Sequence, residues 1–335
     1  MFEKQLLFEF LSSGHILSLS FFVLLMQKKR TKKYNPELRD ALLRILPQVA
    51  TCLLEEIACY SAQIEGKEVK RIASEDCRSL TSLDNDSIAI AGFEKITLFE
   101  CQLLETLGMI KRKTIPCHQL DFASFRFIQY FDGHFFLSLN SMTTILSCDL
   151  NGTQKESYTP FQKSSTNVNH DGMCIFKNRL YFLWHQLEIH SYLRKGIVTV
   201  CSIGEHGKLK TIQHWEIMPF SALDLCSSRL AVNHNQIYIK TSEQVLVYSL
   251  DGNYVNRWTA KFNTIFSLAT DDFSDLVYLF GPKEVEEWNS SGNFVRKWSW
   301  NNNNDLAVGD PVSSVVFRFP LCYIMSTGQR IHVLR

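Results

Sequence analysis

Six histidines (His134, His185, His190, His206, His214 and His234) and five aspartates (Asp224, Asp271, Asp272, Asp305 and Asp310) are the side chains best placed to do chemistry. Convergent carboxylates can ligate Ca²⁺, and a carboxylate beside an imidazole can serve general acid–base hydrolysis. Their spacing does not impose either. The histidines are dispersed with no shared ligand geometry, and Asp271-Asp272 and Asp310 fit turns equally well. Nucleotide-loop, nucleophile-elbow and His-Glu-x-x-His signatures are missing from the strand–turn–helix settings that would give them meaning, and Gly204-Glu205-His206-Gly207 reads as a turn between strands. The ten cysteines include no close Cys-x-x-Cys pair, and several lie in apolar text such as Ile145-Leu146-Ser147-Cys148, so they are expected to be reduced packing residues of a cytoplasmic protein. No catalytic, cofactor-binding or metal-ligating set is assigned, and whether the chain is an enzyme stays open.

Charge narrows the partner classes. With 35 basic and 34 acidic side chains there is no global field to gather nucleic acid. The one basic run, residues 28–33, directly follows the apolar stretch Ile16–Met26. The favoured reading is a buried or interfacial helix. The alternative is an N-terminal membrane anchor over residues 6–26, with residues 28–33 on the cytoplasmic side.

The chain then divides in two. Residues 1–63 are expected to be a helical extension. Pro36–Leu46 has Asn35 as its cap, Pro36 at its first position and an apolar face of Leu38, Leu42 and Ile45. A second helix is expected from about Val49 to Ser61, after the break at Pro47. Residues 64–335 switch from helical to alternating periodicity, as strands do.

The alternation is repetitive. Tyr248-Ser249-Leu250-Asp251-Gly252-Asn253-Tyr254-Val255-Asn256-Arg257-Trp258 nearly recurs at Trp288-Asn289-Ser290-Ser291-Gly292-Asn293-Phe294-Val295-Arg296-Lys297-Trp298, 40 residues on. Each copy is a strand, a glycine turn and a second strand closed by Trp. Markers of the second strands (Ile88, Phe135, Tyr181, Tyr238, Val277 and Tyr323) are spaced by 47, 46, 57, 39 and 46 residues, suited to four-stranded blades. The long interval offers two third strands, Leu187–Tyr192 or Ile197–Ile203, and the stretch from Gln102 to Tyr130 is poorly periodic. Because the chain ends just after a third strand, Gly66–Ile72 is expected to supply the missing outer strand, with Val69 beside Val333. The expected fold is therefore mainly β: a six-bladed β-propeller closed by an N-terminal strand, with an N-terminal α-helical extension.

On Asp305–Asp310, Gln329–Leu334, Val247–Gly252 and the Asn151-Gly152 turn, residues 66–335 resemble the NHL-repeat type of propeller. Leu46-Pro47, Leu53–Ile57 and Tyr60 faintly resemble the start of an F-box helix pair. These resemblances imply a protein-binding scaffold or adaptor, its partner held by propeller loops or the N-terminal helices. They leave as alternatives a propeller hydrolase or lyase with an acid/His site and an RNA-binding propeller. Arg257, Arg296 and Lys297 are expected to wet the rim, and Trp258, Trp298 and Trp300 to seal contacts between blades.

Overall fold

The computed structural model describes residues 68–73, 78–83, 87–92, 95–102, 108–116, 125–139, 144–160, 168–187, 193–221, 230–241, 243–262, 264–270, 276–281, 284–299, 312–318, 321–326 and 330–334. Two compact units divide the chain, Met1–Ile64 and Glu65–Arg335. The expected helical extension, the apolar stretch 6–26 and the basic run 28–33 lie outside the described residues.

The second unit begins with β1 (Glu68–Ala73) and continues through four-stranded antiparallel blades. Blade one is β2 (Ser79–Ser82), β3 (Ser87–Ala91), β4 (Lys95–Gln102) and β5 (Gly108–Pro116). Blade two is β6 (Phe125–Phe131), β7 (His134–Leu139), β8 (Ile145–Asp149) and β9 (Gln154–Tyr158). Blade three is β10 (Val168–Phe176), β11 (Arg179–Leu187), β12 (Leu193–Ile203) and β13 (Leu209–Ser221). Blade four is β14 (Leu230–Val232), β15 (Gln236–Lys240), β16 (Gln244–Ser249) and β17 (Tyr254–Thr259). Blade five is β18 (Ser267–Thr270), β19 (Leu276–Phe280), β20 (Glu284–Asn289) and β21 (Phe294–Ser299). The last strands are β22 (Val312–Arg318), β23 (Leu321–Ser326) and β24 (Arg330–Leu334), which pair in the order β1-β24-β23-β22. The first strands β2, β6, β10, β14, β18 and β22 touch in sequence, and β22 returns to β2.

The expected fold class is corrected here. Five blades are self-contained, each made of four consecutive strands, and the remaining sheet is a composite of β1 with the three C-terminal strands rather than a sixth blade of the same kind. The sheets stay separate and do not merge into a barrel. The register of the donated strand also differs from expectation. Lys70 sits opposite Val333 and Glu68 opposite Leu334, so Val69 occupies a bulge. One extra residue on an edge strand flips the following side chains to the other face, which sequence alternation alone does not reveal. In blade three the third strand runs over Leu193–Ile203.

The repeated turn explains why the blades look alike in sequence. At Asp149–Thr153, Gly204–Lys208, Ser249–Asn253 and Asn289–Asn293, the first amide donates to the fifth carbonyl and the glycine amide donates back to the first carbonyl. The glycines (Gly152, Gly207, Gly252 and Gly292) have φ of 74–81°, the left-handed region that strains residues bearing a Cβ. In blades two, four and five the outer pair slips by one residue just past the turn, the signature of a hairpin with a bulge, and in blade three the slip comes two residues farther along. Packing adds a second demand. A Cβ on Gly252 would lie 2.7 Å from Trp215 of blade three, and one on Gly292 would lie 3.2 Å from Trp258 of blade four. These two turns thus rest on outer-strand side chains of the preceding blade, whereas Gly207 faces Ser147 and His134 of the second and third strands of blade two.

Burial follows the radial plan. The second and third strands are buried on both faces, as in the five consecutive buried residues of Ser87–Ala91 and Phe135–Leu139. Outer strands such as β17 and β21 are mainly exposed or half-buried. Apolar clusters fill the gaps between neighbouring blades, so the core is a set of inter-blade wedges.

Candidate functional site

The inner strands are sheet edges, so part of their backbone lacks a strand partner and needs other hydrogen bonds. Short polar side chains supply some of them across the seams. Ser79 Oγ accepts from the Ile128 amide (3.2 Å), joining blades one and two. Gln129 Nε2 donates to the Met173 carbonyl (3.2 Å), joining blades two and three. Thr270 Oγ1 donates to the Val232 carbonyl (2.9 Å), joining blades four and five. Ser314 Oγ accepts from the Leu80 amide (3.2 Å), joining the composite sheet to blade one. These strands enclose a central cavity of about 160 Å³, lined by residues of all six inner strands.

The seam between blades two and three carries the charged chemistry. Asp171 lies in a bulge of β10, between His170 and Gly172 in the pairing register, and is 1% exposed. His185, on the adjacent β11, places Nδ1 2.5 Å from Asp171 Oδ2. A carboxylate only accepts, so Nδ1 carries the proton in this contact. Arg126, itself in a bulge of β6, brings Nη2 to 3.6 Å from Asp171 Oδ1. His170 hydrogen-bonds Ser138 of blade two through Nδ1 and meets the Trp184 ring edge-on at 3.8 Å between centroids. An acid and an imidazole are therefore joined, but the imidazole's carboxylate partner is sealed between two blades, with Phe127, Phe136, Phe182 and Trp184 in the neighbouring apolar cluster.

The seam between blades four and five holds its buried carboxylate differently. Glu286 is fully buried, and its Oε2 accepts from Trp288 Nε1 (2.9 Å) and from the Lys261 amide (3.0 Å), while Oε1 has no partner. Trp258 stacks on Trp288 at 6.1 Å and 26°, with Tyr238 edge-on to it. On the opposite side of β20, Arg296 forms a two-pronged bond to Glu287 (2.7 and 2.6 Å), and Trp298 Nε1 donates to the same carboxylate (2.8 Å). Trp298 does not repeat the seat that Trp258 forms, because the next sheet has no β24–β1 hairpin turn to rest on it.

The other expected positions are scattered. His134 is half-buried and its Nδ1 contacts the Asp132 carbonyl at 2.8 Å; His206, His214 and His234 are exposed. His190, Asp224, Asp271, Asp272, Asp305, Asp310 and Trp300 lie outside the described residues. Among the described residues no group of three His, Cys, Asp or Glu side chains is arranged to hold a metal ion. Burial pushes the Cys201 thiol above its ordinary pKa, against hydrogen bonds with Tyr158 and Thr211, so Cys201 stays a thiol at neutral pH. Burial likewise holds the Tyr158 hydroxyl well above its ordinary value.

Sequence reasoning singled out His185 but missed Asp171 and Arg126. The available signal was the polar triplet His170-Asp171-Gly172 inside strand-like text, which suits a bulge better than regular pleat. It also missed a row on the rim. Ile212, Val255 and Val295 are each about half exposed, and each is the bulged residue of its outer strand in blades three, four and five. Tyr254 is exposed beside Val255. In blade two the same position is Lys155, whose Nζ lies 3.0 Å from Asp149.

No protein-family model matches the chain, and no curated protein matches it. Solved structures do. A chain of a crystal structure of the mitotic checkpoint complex superposes with a TM-score of 0.50 and 9% identity, covering 82% of this chain and 96% of that one. BamB from Moraxella catarrhalis gives a TM-score of 0.43 and 12% identity, covering 80% of this chain and 97% of that one. The first likeness is one of fold. The NHL-type resemblance is corrected by these findings, since five self-contained blades stand where six were expected and no family model matches the chain. The physical reason is plain: a bulged hairpin of this type selects Gly at its left-handed position whatever the lineage. Among the described residues no helix is long and apolar enough to cross a membrane.

Proposed function

We propose that this chain is a protein-binding scaffold that presents its partner with the outer rim of blades three to five. The observation that carries this reading is an exposed apolar residue at the outer-strand bulge of three consecutive blades: Val255 (beside Tyr254) and Val295 at equivalent positions, and Ile212 at a bulge two residues farther from its turn. Single exposed apolar residues are ordinary on protein surfaces. Recurrence at the bulge of successive outer strands is not required by the sheet, because blade two carries Lys155 there. Rigid blades hold these side chains in fixed relative positions, which lowers the ordering cost of binding. The acid–histidine pair most suited to hydrolysis lies within blade three, and its carboxylate is buried where Arg126 of blade two reaches it. The matching chain of a multiprotein mitotic complex shows the fold in a setting of protein association.

The test is a triple variant, Ile212→Asp, Val255→Asp and Val295→Asp, in the full chain. Exposed substitutions of this kind change stability by about 0.5 kcal/mol or less each. The variant is expected to keep its thermal midpoint while losing at least tenfold of whatever protein is reproducibly cross-linked to the wild-type rim. Equal cross-linking by both forms overturns the rim as the binding surface.

A further inference from the structure

We infer that the rim of blades three to five docks an acidic protein segment whose carboxylates alternate with apolar side chains; this rests on the rim reading above and gives its partner a chemistry. In each of these blades the exposed apolar residue at the bulge is followed, two residues on, by an exposed basic side chain: Ile212 by His214, Val255 by Arg257 and Val295 by Lys297. Blade two breaks the order at both places, with Lys155 at the bulge and Ser157 beyond it. The order returns on β1, where Val69 fills the bulge and Arg71 follows opposite His332. Across β13, β17 and β21 the charged side chains are Lys210, Arg257, Arg296 and Lys297 against Glu216 alone.

Two equivalent cations on this rim are treated differently. Lys297 of blade five is met by Glu284 at 2.5 Å. In blade four the matching cation is Arg257, which lies opposite Leu246 as Lys297 lies opposite Glu286. Two residues earlier on the facing strand, blade four has Gln244 where blade five has Glu284. The carboxylate is replaced by an amide, and among the described residues Arg257 forms no ion pair. Residues two apart on one strand lie about 7 Å from each other, so a partner that covers Val255 also covers Arg257. A guanidinium taken out of water needs acceptors, and a carboxylate meets it with two parallel bonds. An anionic lipid surface suits this rim less well, because Glu216 and the part-exposed Glu284 stand among the cations and would face like charge.

The experiment measures binding of the full chain to a fluorescent synthetic peptide that alternates Glu and Leu, beside its Lys–Leu counterpart and vesicles containing phosphatidylserine. The expected result is binding of the Glu–Leu peptide alone, weakened by added NaCl. Arg257→Glu should lower that affinity roughly tenfold and Arg257→Gln by less, while Lys297→Gln changes it least because Glu284 already engages that charge. Glu284→Gln should tighten binding roughly twofold, since it frees Lys297. These side chains lie at the surface, so thermal midpoints should hold. No binding of the Glu–Leu peptide, equal affinity in Arg257→Glu, equal binding of the Lys–Leu peptide, or Arg257-dependent binding to the vesicles overturns the inference. The triple rim variant tells this failure from failure of the rim itself. If that variant loses its cross-linked partner while the Glu–Leu peptide gives any of those results, the acidic segment is wrong and the rim stands; if cross-linking is unchanged, both fall.

Discussion

Two seams of the same ring bury a carboxylate by opposite means. Between blades two and three, Asp171 is met by an imidazole and a guanidinium; between blades four and five, Glu286 is met by an indole N–H and a backbone amide. The first arrangement neutralises charge, and removing a partner leaves a buried ion exposed to its full desolvation cost. The second disperses the charge over neutral donors and leaves Oε1 without a partner, so the seam draws its strength from the stacked indoles around it. Neighbour-to-neighbour closure therefore does not depend on one chemistry. It depends on filling each wedge and satisfying whatever polar group the wedge encloses.

The largest effect expected from breaking this comparison is at the aromatic seam. Trp258→Ala should cost about 3–5 kcal/mol, the usual loss for truncating a buried aromatic, read from the denaturant midpoint. Trp258→Phe should cost far less, because the buried indole N–H has no partner to lose.

Next come the two carboxylates, which should respond with different magnitudes. Asp171→Asn is expected to lose about 3 kcal/mol, since it uncouples His185 and Arg126 from their anion. Glu286→Gln should stay within about 1 kcal/mol of wild type or gain stability, because an amide oxygen still accepts both N–H groups and a buried charge is gone. Equal losses at the two positions, measured by chemical denaturation, would erase the distinction between the seams.

Smaller again is the contrast between two left-handed glycines. Gly133→Ala adds a Cβ into open space, whereas Gly252→Ala drives one against the Trp215 indole. Backbone strain of about 1 kcal/mol is common to both. Gly252→Ala is expected to cost about 1–3 kcal/mol beyond that, as overpacking does. Thermal midpoints of the two variants give the comparison directly.

The smallest effect lies in the turns. Asp149 and Asn289 close equivalent hairpins through the same side-chain acceptor, to the Thr153 and Asn293 amides respectively. Burial pushes the Asp149 carboxyl up, but the Lys155 ammonium and the Thr153 and Asn151 amides outweigh it and hold its pKa below the ordinary carboxylate value. A lowered folded pKa means the unfolded chain binds the proton more readily, so this stabilisation is present above the unfolded value and is lost as the solution is acidified through the folded one. Asp149→Asn should therefore flatten a small acid-side slope of stability at neutral cost, and the group's exposure keeps the change to about a few tenths of a kcal/mol.

The contrast also explains what was legible in the sequence. Trp258, Trp288 and the turn glycines were readable because they recur, and recurrence reports one geometry built several times. Second strands such as Ser87–Ala91 and Gln236–Lys240 stood out because both faces are buried and the apolar run is bounded by turns. Asp171 and Arg126 were not readable, because each sits in a bulge that turns a polar residue out of step with its strand. The Arg126 bulge also accounts for part of the weak periodicity between Gln102 and Tyr130. The rim row escaped for the same reason: Val255 and Val295 looked like strand alternation, and only the slip in register shows that they point to solvent.

The pairing of β1 with β24 has a consequence for how the molecule comes into being. Glu68 meets Leu334 across roughly 266 residues of chain, against about five at a blade hairpin, and loop-closure entropy makes that junction about 3–4 kcal/mol harder to form. On the ribosome the donated strand emerges ahead of every blade and must wait, single and unmatched, until β24 follows it out. Its partner β24 is made after all five self-contained blades, so the clasp fastens only once they have emerged.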